Sequence, residues 1–168
     1  LGPATTQGYS PQSALKAASQ SGTALQFAMA AAPINTRKHS TPAVCVVEPD
    51  AAEARRIAGL LGVVGASVRR YADGGALLAE PMGDAVCVIS EMALPDMTGA
   101  DLISTLRGRG IQTPVILLAA ESDVASAVAG IRAGALDYID KTQLERLLSP
   151  HLRRLILENG PGSGDHED

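Results

Sequence analysis

Apolar and polar positions follow two periods along this chain, and from about residue 43 the two take strict turns. Residues 43–47 (Ala-Val-Cys-Val-Val) are continuously apolar, the pattern of a strand buried on both faces. Residues 50–61 switch to helical spacing, with Ala54, Ile57, Ala58 and Leu61 on one face. Asp50 stands where an N-cap belongs, and Gly62 lies near the end. Residues 67–70 read as a short polar strand near a sheet edge, and 74–80 as a small helix. The third strand is 85–89, followed by a helix over 100–107. The fourth strand is 114–118, with Pro114 at its start, where no ladder donor is needed. A helix over 123–132, capped by Asp123 and stopped by Gly134, leads to a fifth strand over 136–139. Thr142-Gln143-Leu144-Glu145 has the form of a capping box, opening a last helix that runs to about Ile156.

Five strands alternating with five helices on short connections predict an α/β fold. Right-handed crossovers make it a doubly wound five-stranded parallel sheet with helices on both faces, in flavodoxin-like order 2-1-3-4-5. In that order strands one and three are neighbours, and their C-terminal ends flank the switch-point crevice. Glu48 and Glu91 then stand side by side there.

The segments outside this alternation differ in composition. Residues 1–42 are rich in Ala, Ser, Thr, Gln and Pro. Ser10-Pro11 can start a helix, and Leu15, Ala18, Gly22, Leu25 and Met29 form a thin stripe, so a flexible or partly helical arm is expected. The opening Leu1-Gly2-Pro3 reads as the scar of processing or of a fragment. Residues 158–168 are Gly-rich and acidic, as a disordered tail is. Any function is therefore expected of the body over residues 43–157.

Charge narrows that function. The formal net charge is −4, and no basic cluster exceeds Arg69-Arg70 or Arg153-Arg154, which disfavours nucleic acid as a partner. Aromatics are few (Tyr9, Phe27, Tyr71, Tyr138), so base-stacking platforms are missing too. No apolar run approaches the roughly 20 residues of a membrane span. Cys45 and Cys87 both fall inside buried strands, as small core residues of a reducing compartment do, and a cytoplasmic location is expected. His39, His151 and His166 are scattered without metal-ligand spacing.

The chemistry converges on four loops at the crevice: Glu48-Pro49-Asp50, Ser90 to Gly99, Ala119 to Ser122, and Asp140-Lys141-Thr142. Three phrases carry a resemblance: Met92-Ala93-Leu94-Pro95-Asp96-Met97-Thr98-Gly99, Pro114-Val115-Ile116-Leu117-Leu118, and Ala133-Gly134-Ala135-Leu136-Asp137-Tyr138-Ile139-Asp140-Lys141. In order and at this spacing, they resemble the receiver domain of bacterial two-component response regulators, from about Ala43 to Leu155. The resemblance implies a phosphoacceptor Asp four residues before the Pro and an acid pair after strand one for Mg²⁺. It also implies a Thr or Ser after strand four, a Lys after strand five, and a state-reporting aromatic three residues before that Lys.

This chain keeps Lys141 and Tyr138 but departs elsewhere. The acceptor position holds Glu91, the acid pair has become Glu48-Pro49 with Asp50 one residue beyond, and the hydroxyl position holds Ala119. Mg²⁺ demands near-octahedral oxygens at roughly 2.0–2.1 Å, so binding is expected to be weak or absent. No cofactor is expected, and the carboxylates on offer to a cation are Glu48, Asp50 and Glu91. Phosphoryl transfer depends on positioning, where a displacement of ~1 Å costs on the order of 100-fold. Glu91 has the reach to pair with Lys141 at a partly exposed crevice, an interaction worth about 0–1 kcal/mol.

These features predict a pseudo-receiver, a degenerate, non-enzymatic module that binds another signalling protein without being phosphorylated. The partner would be a histidine kinase, a response regulator or an output domain. The contact surface, or a homodimer interface, would lie over residues 123–156. The alternative is a receiver that is still phosphorylated, on Asp96 or Asp50, and regulates an output domain or partner, including in transcription. An enzyme on this fold lacks a nucleophile–base pair. Arg107 and Arg109 read as a solvated helix end, and Asp96 as a turn residue.

Overall fold

A computed structural model describes residues 41–121 and 123–159. The expected N-terminal arm over residues 1–40 lies outside the described residues, as does the expected tail over 158–168 except for Glu158 and Asn159, which are helical and not disordered tail. Five strands alternate with five helices: β1 (Ala43–Val47), α1 (Ala51–Val63), β2 (Ser67–Tyr71), α2 (Gly74–Leu78), β3 (Ala85–Glu91), α3 (Gly99–Gly108), β4 (Val115–Ala119), α4 (Val124–Ala133), β5 (Asp137–Asp140) and α5 (Leu144–Asn159). The strands form one parallel sheet in the order β2-β1-β3-β4-β5, the doubly wound order expected from the alternation.

The strands β1 and β4 are buried at every position, and β3 at all but its first, because helices cover both faces. On one face Val44, Val46, Ile89, Ile116, Leu118 and Ile139 pack against Ile57 and Leu61 of α1 and Leu144, Leu148, Leu152 and Leu155 of α5. On the other, Cys45, Val47, Val88, Val115 and Leu117 meet Leu77 of α2 and Leu102, Ile103 and Leu106 of α3. Each of these fully buried aliphatic side chains contributes about 1.5–3 kcal/mol relative to exposure.

Helix starts follow local chemistry. The Asp50 carboxylate accepts from the Ala52 and Glu53 amides, and the Asp123 carboxylate from the Ser126 amide. Thr98 and Asp101 form a capping box on α3. At the end of α4, Gly134 adopts φ +111°, a left-handed conformation that glycine tolerates and other residues resist.

Three local expectations are corrected. The capping box over Thr142–Glu145 does not form. A 3₁₀ turn over Lys141–Gln143 precedes α5, and the Asp140 carboxylate accepts from the Thr142 amide, while Glu145 is drawn to a guanidinium from another helix. The helix α5 runs on to Asn159, three residues past Ile156. Arg107 and Arg109 are structural donors: Arg107 bonds the Ile111 and Thr113 carbonyls, and Arg109 the Leu78 carbonyl.

Candidate functional site

The sheet order sets β1 beside β3, and the pairing of Val47 with Ser90 brings the two following acids, Glu48 and Glu91, to one level at the C-terminal edge. Strand-end crevices of this kind are where open α/β sheets bind ligands. The 3₁₀ turn after β5 aims Lys141 back across that edge.

Lys141 Nζ lies 2.9 Å from Glu48 Oε1 and 2.5 Å from Glu91 Oε1. The side chains are 11%, 3% and 10% exposed respectively. This is a buried bridge, not the partly exposed pair foreseen from sequence, and the second carboxylate was not foreseen as a partner. The remaining oxygens are also engaged, Glu48 Oε2 by the Asp50 amide and Glu91 Oε2 by the Ala93 amide, each at 3.1 Å. Burial works against the Lys141 charge, but hydrogen bonds and charge attraction from Glu91 and Glu48 outweigh it and hold its pKa above the ordinary lysine value.

Other parts of the chain fix these groups from behind. Arg70 of β2 donates to the Glu48 carbonyl through Nε (3.1 Å) and Nη2 (2.8 Å), and to the Pro49 carbonyl at 2.9 Å. Arg56 of α1 donates to the Lys141 carbonyl at 2.9 Å, and holds both Glu145 oxygens at 3.0 Å in a bidentate fork. Arg56 is thus a positioning residue for Lys141. The sequence reading missed it, because its partners lie 85 and 89 positions away.

The other predicted positions divide. Ala119 ends β4 in register with Asp140 and is buried. Tyr138 packs its ring toward Gly130, where an added Cβ would stand 3.5 Å from the ring and 2.7 Å from Leu117. Its hydroxyl is buried without a hydrogen-bond partner among the described residues, although Ser126 is a polar neighbour, and burial pushes the phenol pKa up. Pro49 and Asp50 are exposed, and the Asp50 carboxylate serves α1 and not the pocket. Asp96 likewise caps α2, accepting from the Gly74 and Gly75 amides at 3.1 and 2.9 Å. These amide bonds lower both carboxyl pKa values.

Magnesium, which the family resemblance implies here, does not fit this donor set. Each Glu48 and Glu91 oxygen already accepts a hydrogen bond, the Pro49 carbonyl is taken by Arg70, and Asp50 is turned to its helix. Among the described residues, no group of three or more His, Cys, Asp or Glu side chains gathers as a metal centre would. The cation between the two acids is the ammonium of Lys141.

A parallel five-stranded sheet with acids at the β1 and β3 ends and a lysine after β5 defines a receiver-type signalling module. Residues 44–152 match the family model for the response regulator receiver domain, and the chain belongs to that family. It is similar to the sensory transduction protein RegX3 of Mycobacterium tuberculosis, at 32% identity over 74% of this chain and 55% of that protein. It also resembles the C4-dicarboxylate transport transcriptional regulatory protein DctR of Rhodobacter capsulatus, at 39% identity over 46% of this chain and 41% of that protein. The chain spans about half the length of these relatives. Among solved structures, a response regulator receiver protein from Pseudoalteromonas atlantica superposes with TM-score 0.65 and 28% identity, covering 68% of this chain and 97% of that one. The BeF3-activated DrrB receiver domain gives 0.63 and 25%, covering 70% and 98%.

Replacing Lys141 with Met leaves two buried carboxylates without their cation. Denaturant unfolding is expected to show a loss of about 3–5 kcal/mol, and the triple change K141M/E48Q/E91Q to recover most of it. The pH dependence has a definite sign. Because the folded pKa of Lys141 is raised, its contribution is complete below the ordinary value of 10.5 and declines as pH climbs through the higher folded value. Tyr138→Phe removes a buried hydroxyl that has no hydrogen-bond partner among the described residues. Thermal unfolding is expected to show unchanged or increased stability, by up to about 1 kcal/mol, and not the loss that follows removal of a satisfied hydrogen bond.

Proposed function

We propose that this chain is a phosphorylation-independent pseudo-receiver, a cytoplasmic, non-enzymatic module of two-component or related signalling. The carrying observation is the Glu48–Lys141–Glu91 bridge. In the family it resembles, the lysine after strand five neutralises an incoming phosphoryl group, and the acids hold its metal. Here the same lysine is spent on the acids themselves. Glu91 extends the acceptor position by one methylene and reaches Lys141 directly, so the pocket holds one arrangement without a phosphodonor. Ala119 offers no hydroxyl for a transferred group, and the half-buried Tyr138 has no hydrogen-bond partner among the described residues. The exposed acids Asp50 and Asp96, the alternative acceptors, are each engaged with helix-terminal amides.

Its work in this reading is to bind another signalling protein: a histidine kinase, a response regulator or an output domain. The surface is α4, β5 and α5 (residues 123–156), open equally to a second copy. No feature of the domain favours nucleic acid, and among the described residues no helix is long and apolar enough to cross a membrane.

Amide NMR with Mg²⁺ and either beryllofluoride or acetyl phosphate tests the proposal. The expected result is no saturable shift at Glu91, Ala119 or Lys141. Large saturable shifts there would overturn it, as would a phosphoryl group found on Asp50 or Asp96 by mass spectrometry. Glu91→Asp, Pro49→Asp and Ala119→Thr together are expected to restore Mg²⁺-dependent shifts. A triple variant that still ignores Mg²⁺ would mean that these three positions are not what disables the pocket.

A further inference from the structure

The buried bridge is connected to the surface through one side chain. Arg56 of α1 places Nε on Glu145 Oε2 and Nη2 on Glu145 Oε1, each at 3.0 Å. Nη2 also donates to the Lys141 carbonyl at 2.9 Å, and Nη1 to Glu53 Oε1 at 3.1 Å. Every nitrogen of the guanidinium is therefore engaged, and its plane is fixed. Glu145 is 58% exposed and Arg56 33%, whereas Lys141 is 11% exposed. The path runs from solvent to crevice in order: Glu145 sets the guanidinium, the guanidinium sets the Lys141 main chain, and Lys141 Nζ meets Glu48 and Glu91. The hydrogen bonds from Arg56 hold the Glu145 carboxyl below the usual glutamate value, so the outer end of this path stays charged in mildly acidic solution.

We propose that Arg56 and Glu145 form a surface latch on the pocket. Both are positioning residues for Lys141, Glu145 acting through Arg56, and loosening either one lets the ammonium leave its two carboxylates. The inference deepens the reading of the pocket as occupied by its own lysine, and it rests on that reading. Two features set a latch apart from a plain tie between helices. The inner contact is to main chain, at the residue whose side chain forms the bridge, so moving the guanidinium moves the root of the ammonium. That carbonyl also closes the 3₁₀ turn by accepting from the Leu144 amide, so the fork bears on the turn that aims Lys141. The outer and inner ends also answer to different conditions. Exposed ion pairs are screened by salt and buried ones much less, which gives the latch an input that the bridge lacks.

Two readouts on the full chain test the latch. Trace acylation with peptide mapping reads the Lys141 amine, and the Ala93 amide shift reads the far side of the bridge, through its bond to Glu91. Both are taken where small additions of denaturant leave the acylation rate unchanged, so that global unfolding does not carry the reaction. R56M and R56K are each expected to raise Lys141 reactivity about tenfold, the size of one lost charge-assisted hydrogen bond, and to move the Ala93 amide. R56K keeps the charge but not the planar fork, so a tie that needed charge alone would be rescued by it. E145Q is expected to give a smaller rise, and R56M/E145Q no more than R56M, because both changes act through one guanidinium. D84N, which breaks the exposed Arg69–Asp84 pair, is expected to leave both readouts unchanged. Salt at about 1 M, where the screening length is about 3 Å, is expected to raise reactivity in the wild type and not in R56M. Full protection of Lys141 in R56M with an unmoved Ala93 amide, or full rescue by R56K, would overturn the latch and leave the bridge standing. A wild-type Lys141 that reacts as freely as a free lysine derivative would overturn the bridge, and the latch with it.

Discussion

One ammonium shared by two buried carboxylates organises this domain. Lys141 ties the end of β1 to the end of β3 and draws the turn after β5 across both. Water is largely excluded from the three groups, so the interaction is stronger than a surface ion pair, and removing one member is costly in proportion. The second layer is built for the same purpose. Arg70 grips the backbone after Glu48, and Arg56 grips the backbone of Lys141 while anchoring Glu145 at the start of α5. Two guanidiniums thus hold main chain so that side chains elsewhere stay in register.

This arrangement uses the fold's own geometry. The order β2-β1-β3-β4-β5 puts the crevice at the point where strand order reverses, and the apolar strands leave polar groups only at their ends. Glu48 and Glu91 are the charged residues buried there, with Ser90 beside them. Every oxygen of the two acids is already engaged by Lys141 or a backbone amide, so an external cation would have to displace those bonds.

Much of this was legible in the sequence, for identifiable reasons. Continuous apolar runs at 43–47 and 85–89 announced strands covered on both faces, and Asp50, Asp123 and Gly134 punctuated helices through local backbone chemistry. The placing of Glu48 beside Glu91 at the crevice, with Lys141 after β5, followed from strand order. Long-range pairing was not legible. Glu145 matched a capping box locally, but a bidentate guanidinium 89 positions away outcompeted the cap. Arg107 and Arg109 read as solvated because their acceptors are loop and helix-end carbonyls that no side-chain pattern reveals. Glu48 as a second partner of Lys141 depended on the depth of the crevice, which sequence spacing does not encode.

The most direct test of the buried bridge is the titration of the Lys141 amine by trace acylation, with peptide mapping and a free lysine derivative as reference. Lys141 is expected to titrate above 10.5 and to react far more slowly than the reference at every lower pH. An amine that titrates at or below that value and acylates as freely as the reference would contradict the bridge, and with it the occupied pocket.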